Sequence, residues 1–197
     1  VLFRSYIFPF LSEFDEVEIQ GLEFSGSPDF QLIIGYDDDD PFEYLTISVP
    51  VFDTAADPTA RSRSTLRTAR VQRHAHEEPV PVEFLGSPQP DLWLAANERY
   101  VIGLSRKNAS TSVGGDDEET LLLRIADGKT ESGGERDVFQ GEFRVPRKYL
   151  DRGCVSIRAE AAAASPDWGV RLERVLIRGV VDHARVAADS DRKGTSL

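Results

Sequence analysis

The chain has 197 residues, a net charge of −11 and 40% hydrophobic residues, including 11 Phe, 5 Tyr and 2 Trp. This apolar content excludes wholesale disorder, and the negative charge argues against nucleic acid and anionic membranes as partners. No run of about 18 apolar residues occurs, so we predict no membrane span. The single cysteine, Cys154, excludes an intrachain disulfide.

The chain begins with VLFRS, which back-translates as GTG CTC TTC CGA TCT, the end of a common sequencing-adaptor oligonucleotide. We therefore expect residues 1–5 to be non-native and the natural N-terminus to be missing. Residues 6–182 are predicted to form one domain, with a long polar loop at residues 53–69 and a flexible tail at residues 183–197. The compartment stays open, and an extracellular or cell-surface location is preferred.

Short runs of alternating apolar residues, separated by turn residues, predict half-buried strands along the chain. In the stretch FDEVEIQGLEF, Val17 and Ile19 share one face, and Leu22 and Phe24 then follow one residue out of phase. The glycine at this change of phase, Gly21, predicts a β-bulge.

A hairpin with the acidic tip DDDDP is predicted between residues 30–36 and 42–52. Pro50 cannot donate a ladder hydrogen bond, so the second strand should lie at an edge or end near Val49. Only residues 159–165 are predicted to add a helical turn. Further strands are predicted at residues 80–84, 100–104, 121–125, 139–145, 155–159 and 172–181.

The fold class that this pattern predicts is all-β, an antiparallel β-sandwich of jelly-roll type with roughly 8–10 strands. The sequence contains no GxSxG elbow, no phosphate-binding glycine loop and no HExxH motif. An enzyme is therefore the less favoured interpretation, although a catalytic domain upstream of residue 6 stays open.

Two groups of side chains could hold a metal ion. In RHAHEEP, the side chains of His74, His76 and Glu78 would share one face of a strand, and two histidines with a carboxylate can bind a metal. In the acidic tip, Asp37 and Asp39 could present carboxylate oxygens to calcium. The favoured interpretation is exposed histidines and a solvated loop, so we predict no cofactor, with a structural calcium ion as the alternative.

The segment FQGEFRVPRKYLDRGCVSIRAEAAAASPDWGVRLERVLIRG predicts a strand, a short turn, a strand, a loop with Trp168 and Gly169, and a final strand. This order resembles the C-terminal part of galactose-binding-like jelly rolls, the accessory modules often attached to carbohydrate-active enzymes. The resemblance covers about a fifth of the chain. It implies that the first and last strands, for which residues 14–24 and 172–181 are suitable, lie together and that loops at one end contact the ligand.

The function expected from this resemblance is non-catalytic carbohydrate binding, with carbohydrate as the partner. A sugar packs its C–H face on an aromatic ring, while its hydroxyls bond to arginines and carboxylates. Trp168, Asp167 and Arg171 could supply ring, acceptor and donor, and Trp93 is a second candidate ring. Core packing is the alternative for both tryptophans. The alternative function is a structural or assembly sandwich of a cell surface or virion, without a small ligand.

Overall fold

Two antiparallel sheets make up the protein, as seen in a computed structural model that describes residues 4–8, 11–37, 41–54, 69–75, 78–86, 92–107, 118–128, 136–151, 154–161 and 168–187. The all-β sandwich is therefore confirmed. The described residues contain more strands than the roughly 8–10 that alternation predicts. The strands are β1 (Arg4–Phe8), β2 (Leu11–Ser25), β3 (Pro28–Tyr36), β4 (Glu43–Phe52), β5 (Arg70–Ala75), β6 (Val80–Val82), β7 (Leu94–Ala95), β8 (Arg99–Arg106), β9 (Glu118–Asp127), β10 (Arg136–Pro146), β11 (Cys154–Ala161), β12 (Gly169–Arg171) and β13 (Arg174–Val181).

The seven-stranded sheet has the order β1-β11-β3-β4-β5-β6, and β7 adds a short parallel pair to the end of β4. The edge strand β1 includes two residues of the expected non-native segment, because Arg4 and Ser5 pair with Ala159 and Arg158. The origin of residues 1–5 stays a prediction. Within the described ranges, no helix is long and apolar enough to cross a membrane.

The six-stranded sheet is organised around β2, the longest strand. Its order is β10-β9-β8-β2, and β12 and β13 pair with the other side of β2. Ile19 of β2 lies opposite Val175 of β13, so the predicted pairing of the first long strand with the last strand is confirmed. The strand predicted at residues 172–181 corresponds to β13, which begins at Arg174; Leu172 and Glu173 separate it from the additional short strand β12.

The predicted β-bulge in β2 is confirmed. Gly21 has a φ of 63°, and the register between β2 and β8 shifts between Ile19 and Leu22. Ile19, Leu22 and Phe24 are all buried, because the extra residue returns the second half of the strand to the same face. The inner faces of both sheets contribute to one apolar core.

The predicted hairpin is confirmed by the pairing of β3 with β4, but the prediction for Pro50 was wrong. β4 is an interior strand and continues to Phe52. Pairing of β4 with β5 ends where Ser48 meets Arg70. A missing N–H beyond that point therefore breaks no bond to β5, so proline is tolerated inside the sheet.

The helical prediction at residues 159–165 was wrong for residues 159–161, which belong to β11 and pair with β3 from Phe30 to Pro28. The observed α-helical turn in the described part of the chain lies instead at residues 183–187, inside the expected tail. The Asp182 carboxylate accepts hydrogen bonds from the N–H groups of Ala184 and Arg185 at 3.0 and 3.1 Å, which caps this turn. Residues 55–68 of the predicted loop and 188–197 of the predicted tail lie outside the described residues.

Gly35 allows β3 to approach a 3₁₀ turn at Arg147–Tyr149 very closely. Its φ is 77°, a conformation that residues with a Cβ rarely adopt. A Cβ added at Gly35 would also overlap the carbonyl oxygen of Tyr149. Gly86 has a similar φ of 81°, but no atom lies within 4 Å of a Cβ added there. A side chain at Gly86 would therefore meet only an unfavourable backbone conformation, whereas one at Gly35 would meet that conformation and a steric overlap.

We expect Gly35→Ala to destabilise the protein more than Gly86→Ala. The second change carries only the left-handed backbone cost of about 1–2 kcal/mol, whereas the first adds about 1–3 kcal/mol of overpacking against Tyr149. Urea unfolding followed by circular dichroism measures both free energies. Equal losses in the two variants would show that the close approach at Gly35 does not constrain the fold.

Candidate functional site

Described segments that are distant in sequence meet at one end of the sandwich. The N–H of Asn97, in the turn before β8, donates to the carbonyl oxygen of Phe24 at 2.7 Å, and the N–H of Ala96 donates to that of Phe52 at 2.9 Å. Gly169, the first residue of β12, pairs with Ser25 at the end of β2. These backbone contacts hold segments that are distant in sequence in fixed relative positions.

A pocket of about 260 Å³ lies at this end of the six-stranded sheet. Asn97 enters its wall with a φ of 62°, the left-handed conformation that asparagine tolerates well in turns. At Gly169, an added Cβ would come within 3.0 Å of the Ser25 hydroxyl oxygen, so glycine keeps the wall open. The pocket is lined by Glu23, Phe24, Ser25, Asn97, Gly169, Val170 and Arg171. We call it the end pocket.

The residues predicted to bind sugar meet different outcomes. Arg171 lines the end pocket with an exposed side chain, and Trp168, directly before the pocket residue Gly169, is half-buried. Trp93 is also half-buried, and its ring packs against Phe52 with centroids 5.9 Å apart and an interplanar angle of 63°. At least part of the Trp93 ring is therefore used in packing against Phe52. Asp167 lies outside the described residues.

Three polar residues of the end pocket were not predicted from the sequence: Glu23, Ser25 and Asn97. Glu23 lies directly opposite Arg171 in the pairing of β2 with β12. The alternation of β2 already indicated an outward position for Glu23, next to Phe24 on the inner face. No sequence signal connected that position to Arg171, because the two are joined only by strand pairing.

Two of the predicted metal ligands, Asp37 and His74, lie at the opposite end of the sandwich. Asp37 follows β3, whose nine residues at about 3.3 Å each place its two ends about 26 Å apart. The Asp37 carboxylate forms an ion pair with Arg185 at 2.6 Å. Glu78 is exposed, whereas Asp39 and His76 lie outside the described residues. In the parts of the chain that the structure describes, three or more metal-ligating side chains do not come together.

His74 packs among aromatic residues at this second end. Its ring stacks on Tyr44 with centroids 4.2 Å apart and an interplanar angle of 12°. The Tyr149 hydroxyl donates to the His74 carbonyl oxygen at 3.2 Å. Burial lowers the pKa of His74 from its ordinary value of 6.5, because desolvation disfavours the imidazolium. This geometry describes a packed histidine, and the predictions of no cofactor or of calcium both stay predictions.

Comparison with known proteins gives little further information. No family model matches the sequence, and no curated protein matches it. Among solved structures, a crystal structure of Scytalido-glutamic peptidase with a peptide-based transition-state analogue is 11% identical with a TM-score of 0.37, and the match covers 91% of this chain and 81% of that chain. A similarity at this level is too low to indicate a shared activity.

The lowered pKa of His74 predicts a pH-dependent contribution to stability. The unfolded chain takes up a proton at this residue as the pH falls through about 6.5, before the folded chain does, so stability decreases as the pH falls below that value. We expect the wild type to lose more unfolding free energy between pH 7 and pH 5 than His74→Phe, which keeps a ring on Tyr44. Denaturant unfolding at both pH values measures this difference, and parallel pH profiles would contradict the prediction.

Proposed function

We propose that this β-sandwich is a non-catalytic carbohydrate-binding module and that the end pocket is its binding site. The observation that carries the proposal is the convergence of Arg171, Glu23, Asn97 and Ser25 in one pocket beside Trp168. Guanidinium, carboxylate, amide and hydroxyl groups together provide donors and acceptors for sugar hydroxyls. The resemblance of the C-terminal segment of the sequence to galactose-binding-like jelly rolls supports the same class of ligand by analogy.

The size of the end pocket favours a small ligand. Its volume of about 260 Å³ lies just below the range of about 300–1,000 Å³ that is common for small-molecule sites. We therefore expect it to contact one sugar ring, which can be a free monosaccharide or one residue of a longer chain. Trp168 directly precedes the pocket residue Gly169 and is half-buried, which supports a role for its exposed part in packing against the C–H face of that ring.

We expect Arg171→Ala to weaken sugar binding by about tenfold or more, because a hydrogen bond from a charged group contributes about 1.5–3 kcal/mol. Trp168→Ala should weaken it by about fivefold through loss of ring stacking, worth about 1 kcal/mol. A glycan array identifies the ligand, and isothermal titration calorimetry measures its affinity for each variant.

Arg174→Ala is the matched control for Arg171→Ala. Arg174 is also exposed at the same edge of the six-stranded sheet, but it does not line the end pocket. Its replacement should leave the affinity within about twofold of the wild type. Absence of binding by the wild type across the array, or equal effects at Arg171 and Arg174, would contradict the proposal.

A second candidate function is self-assembly as a structural sandwich, and the edge strand β13 favours it. Val180 and Val181 are 51% and 44% exposed near the end of this strand. A strand edge with exposed β-branched residues can pair with another strand, in this case the same edge of a second copy. This function needs no small ligand.

For the assembly function, we expect the wild type to sediment as a dimer at high concentration and Val180→Glu to sediment as a monomer, because a buried carboxylate opposes association. Val138→Glu is the control, since Val138 is also 50% exposed but lies on β10 at the other edge of the same sheet. A monomeric wild type at high concentration in sedimentation velocity would rule out assembly through β13.

A further inference from the structure

Two opposite charges in the end pocket face each other across strands without forming an ion pair. Arg171 of β12 and Glu23 of β2 are direct partners in the register, yet neither forms an ion pair with any described residue. The neighbouring partners Arg178 and Glu16, one strand pair further along β2, do form one at 3.0 Å. An arginine and a glutamate that face each other across β2 and its edge strand can therefore form an ion pair, and Arg171 and Glu23 differ in not forming one.

The other arginine beside Glu23 is already occupied. Arg99 of β8 lies opposite Glu23 on the other side of β2, but its guanidinium forms an ion pair with Glu173. Glu173 follows β12 and lies over Gly21, where an added Cβ would come within 2.6 Å of its side chain. Glu23 is thus left as an acceptor in the pocket, and Arg171 as a donor.

We infer that the end pocket selects an uncharged sugar with two adjacent hydroxyl groups; this rests on the proposed carbohydrate-binding function. A guanidinium only donates hydrogen bonds, and an ionised carboxylate only accepts them. A hydroxyl group can do both, so one hydroxyl accepts from Arg171 while its neighbour donates to Glu23. The same arrangement opposes charged sugars: the carboxylate of a uronic acid meets Glu23, and the ammonium of an amino sugar meets Arg171.

The charges of Arg171 and Glu23 sum to zero, and this favours a neutral sugar over an anionic or a cationic one. A pocket for anionic sugars would carry an excess of arginine or lysine, and here one of the two nearby arginines is neutralised by Glu173. A pocket for cationic sugars would carry unopposed carboxylates. One donor and one acceptor that face each other without an ion pair instead suit neighbouring hydroxyls on one ring, which can accept from the first and donate to the second.

The test uses three probes with the same ring: galactose, galacturonate and galactosamine, each titrated into the full chain by calorimetry and by protein NMR. We expect the neutral sugar to bind at least tenfold more tightly than either charged one. Glu23→Gln should raise the affinity for galacturonate relative to galactose, and Arg171→Gln should raise that for galactosamine. These opposite shifts require both residues to contact the ligand.

Glu16→Gln and Arg178→Gln are the matched controls, because these two residues also face each other across strands but lie outside the pocket. They should leave the order of the three affinities unchanged. Wild-type preference for a charged sugar would overturn the inference and leave carbohydrate binding intact. If none of the three probes binds, and a glycan array also shows no ligand, both the inference and the proposed function fail.

Discussion

The β-bulge at Gly21 determines how the six-stranded sheet is built. Side chains alternate along a regular strand, so without the bulge Leu22 and Phe24 would point to solvent and Glu23 into the core. The bulge reverses this and leaves Glu23 facing outward. At the same level Glu173 covers Gly21 and interrupts the edge strand between β12 and β13. Both features adjoin the end pocket, because Glu23 follows the bulge and Arg171 precedes the interruption, and both residues line the pocket.

The sequence predicts strands well where each strand has one buried face, as in β2 and the hairpin of β3 and β4. It fails where tertiary contacts override local preference. Ala159, Glu160 and Ala161 favour a helix in isolation, but pairing with β3 makes them a strand. Pro50 indicates an edge, but its strand lies inside the sheet, where the proline is tolerated because the pairing with β5 ends at Ser48. Both misassignments concern which strands lie next to each other, which alternation does not encode.

The end pocket was only partly predictable for the same reason. Arg171 could be singled out because it follows a loop with a tryptophan and a glycine. Glu23, Ser25 and Asn97 come from other elements, and only strand pairing and the bond from Asn97 to Phe24 bring them together. For the candidate metal ligands Asp37 and His74, the local sequence pattern indicated a site that the structure does not form. Asp37 is instead ion-paired with Arg185, and His74 is stacked on Tyr44.

The pairing of β2 with β13 also has a consequence for how the chain reaches this fold. The Ser12 hydroxyl donates to the carbonyl oxygen of Val180, a contact between residues 168 positions apart. Contacts of such range are formed only after a large loop has closed, which makes folding of β-sandwiches slow. Until β13 arrives, one edge of the longest strand stays open. In any partly folded chain that lacks the β13 pairing, this edge of β2 is exposed to other chains, and docking of the last strand protects it.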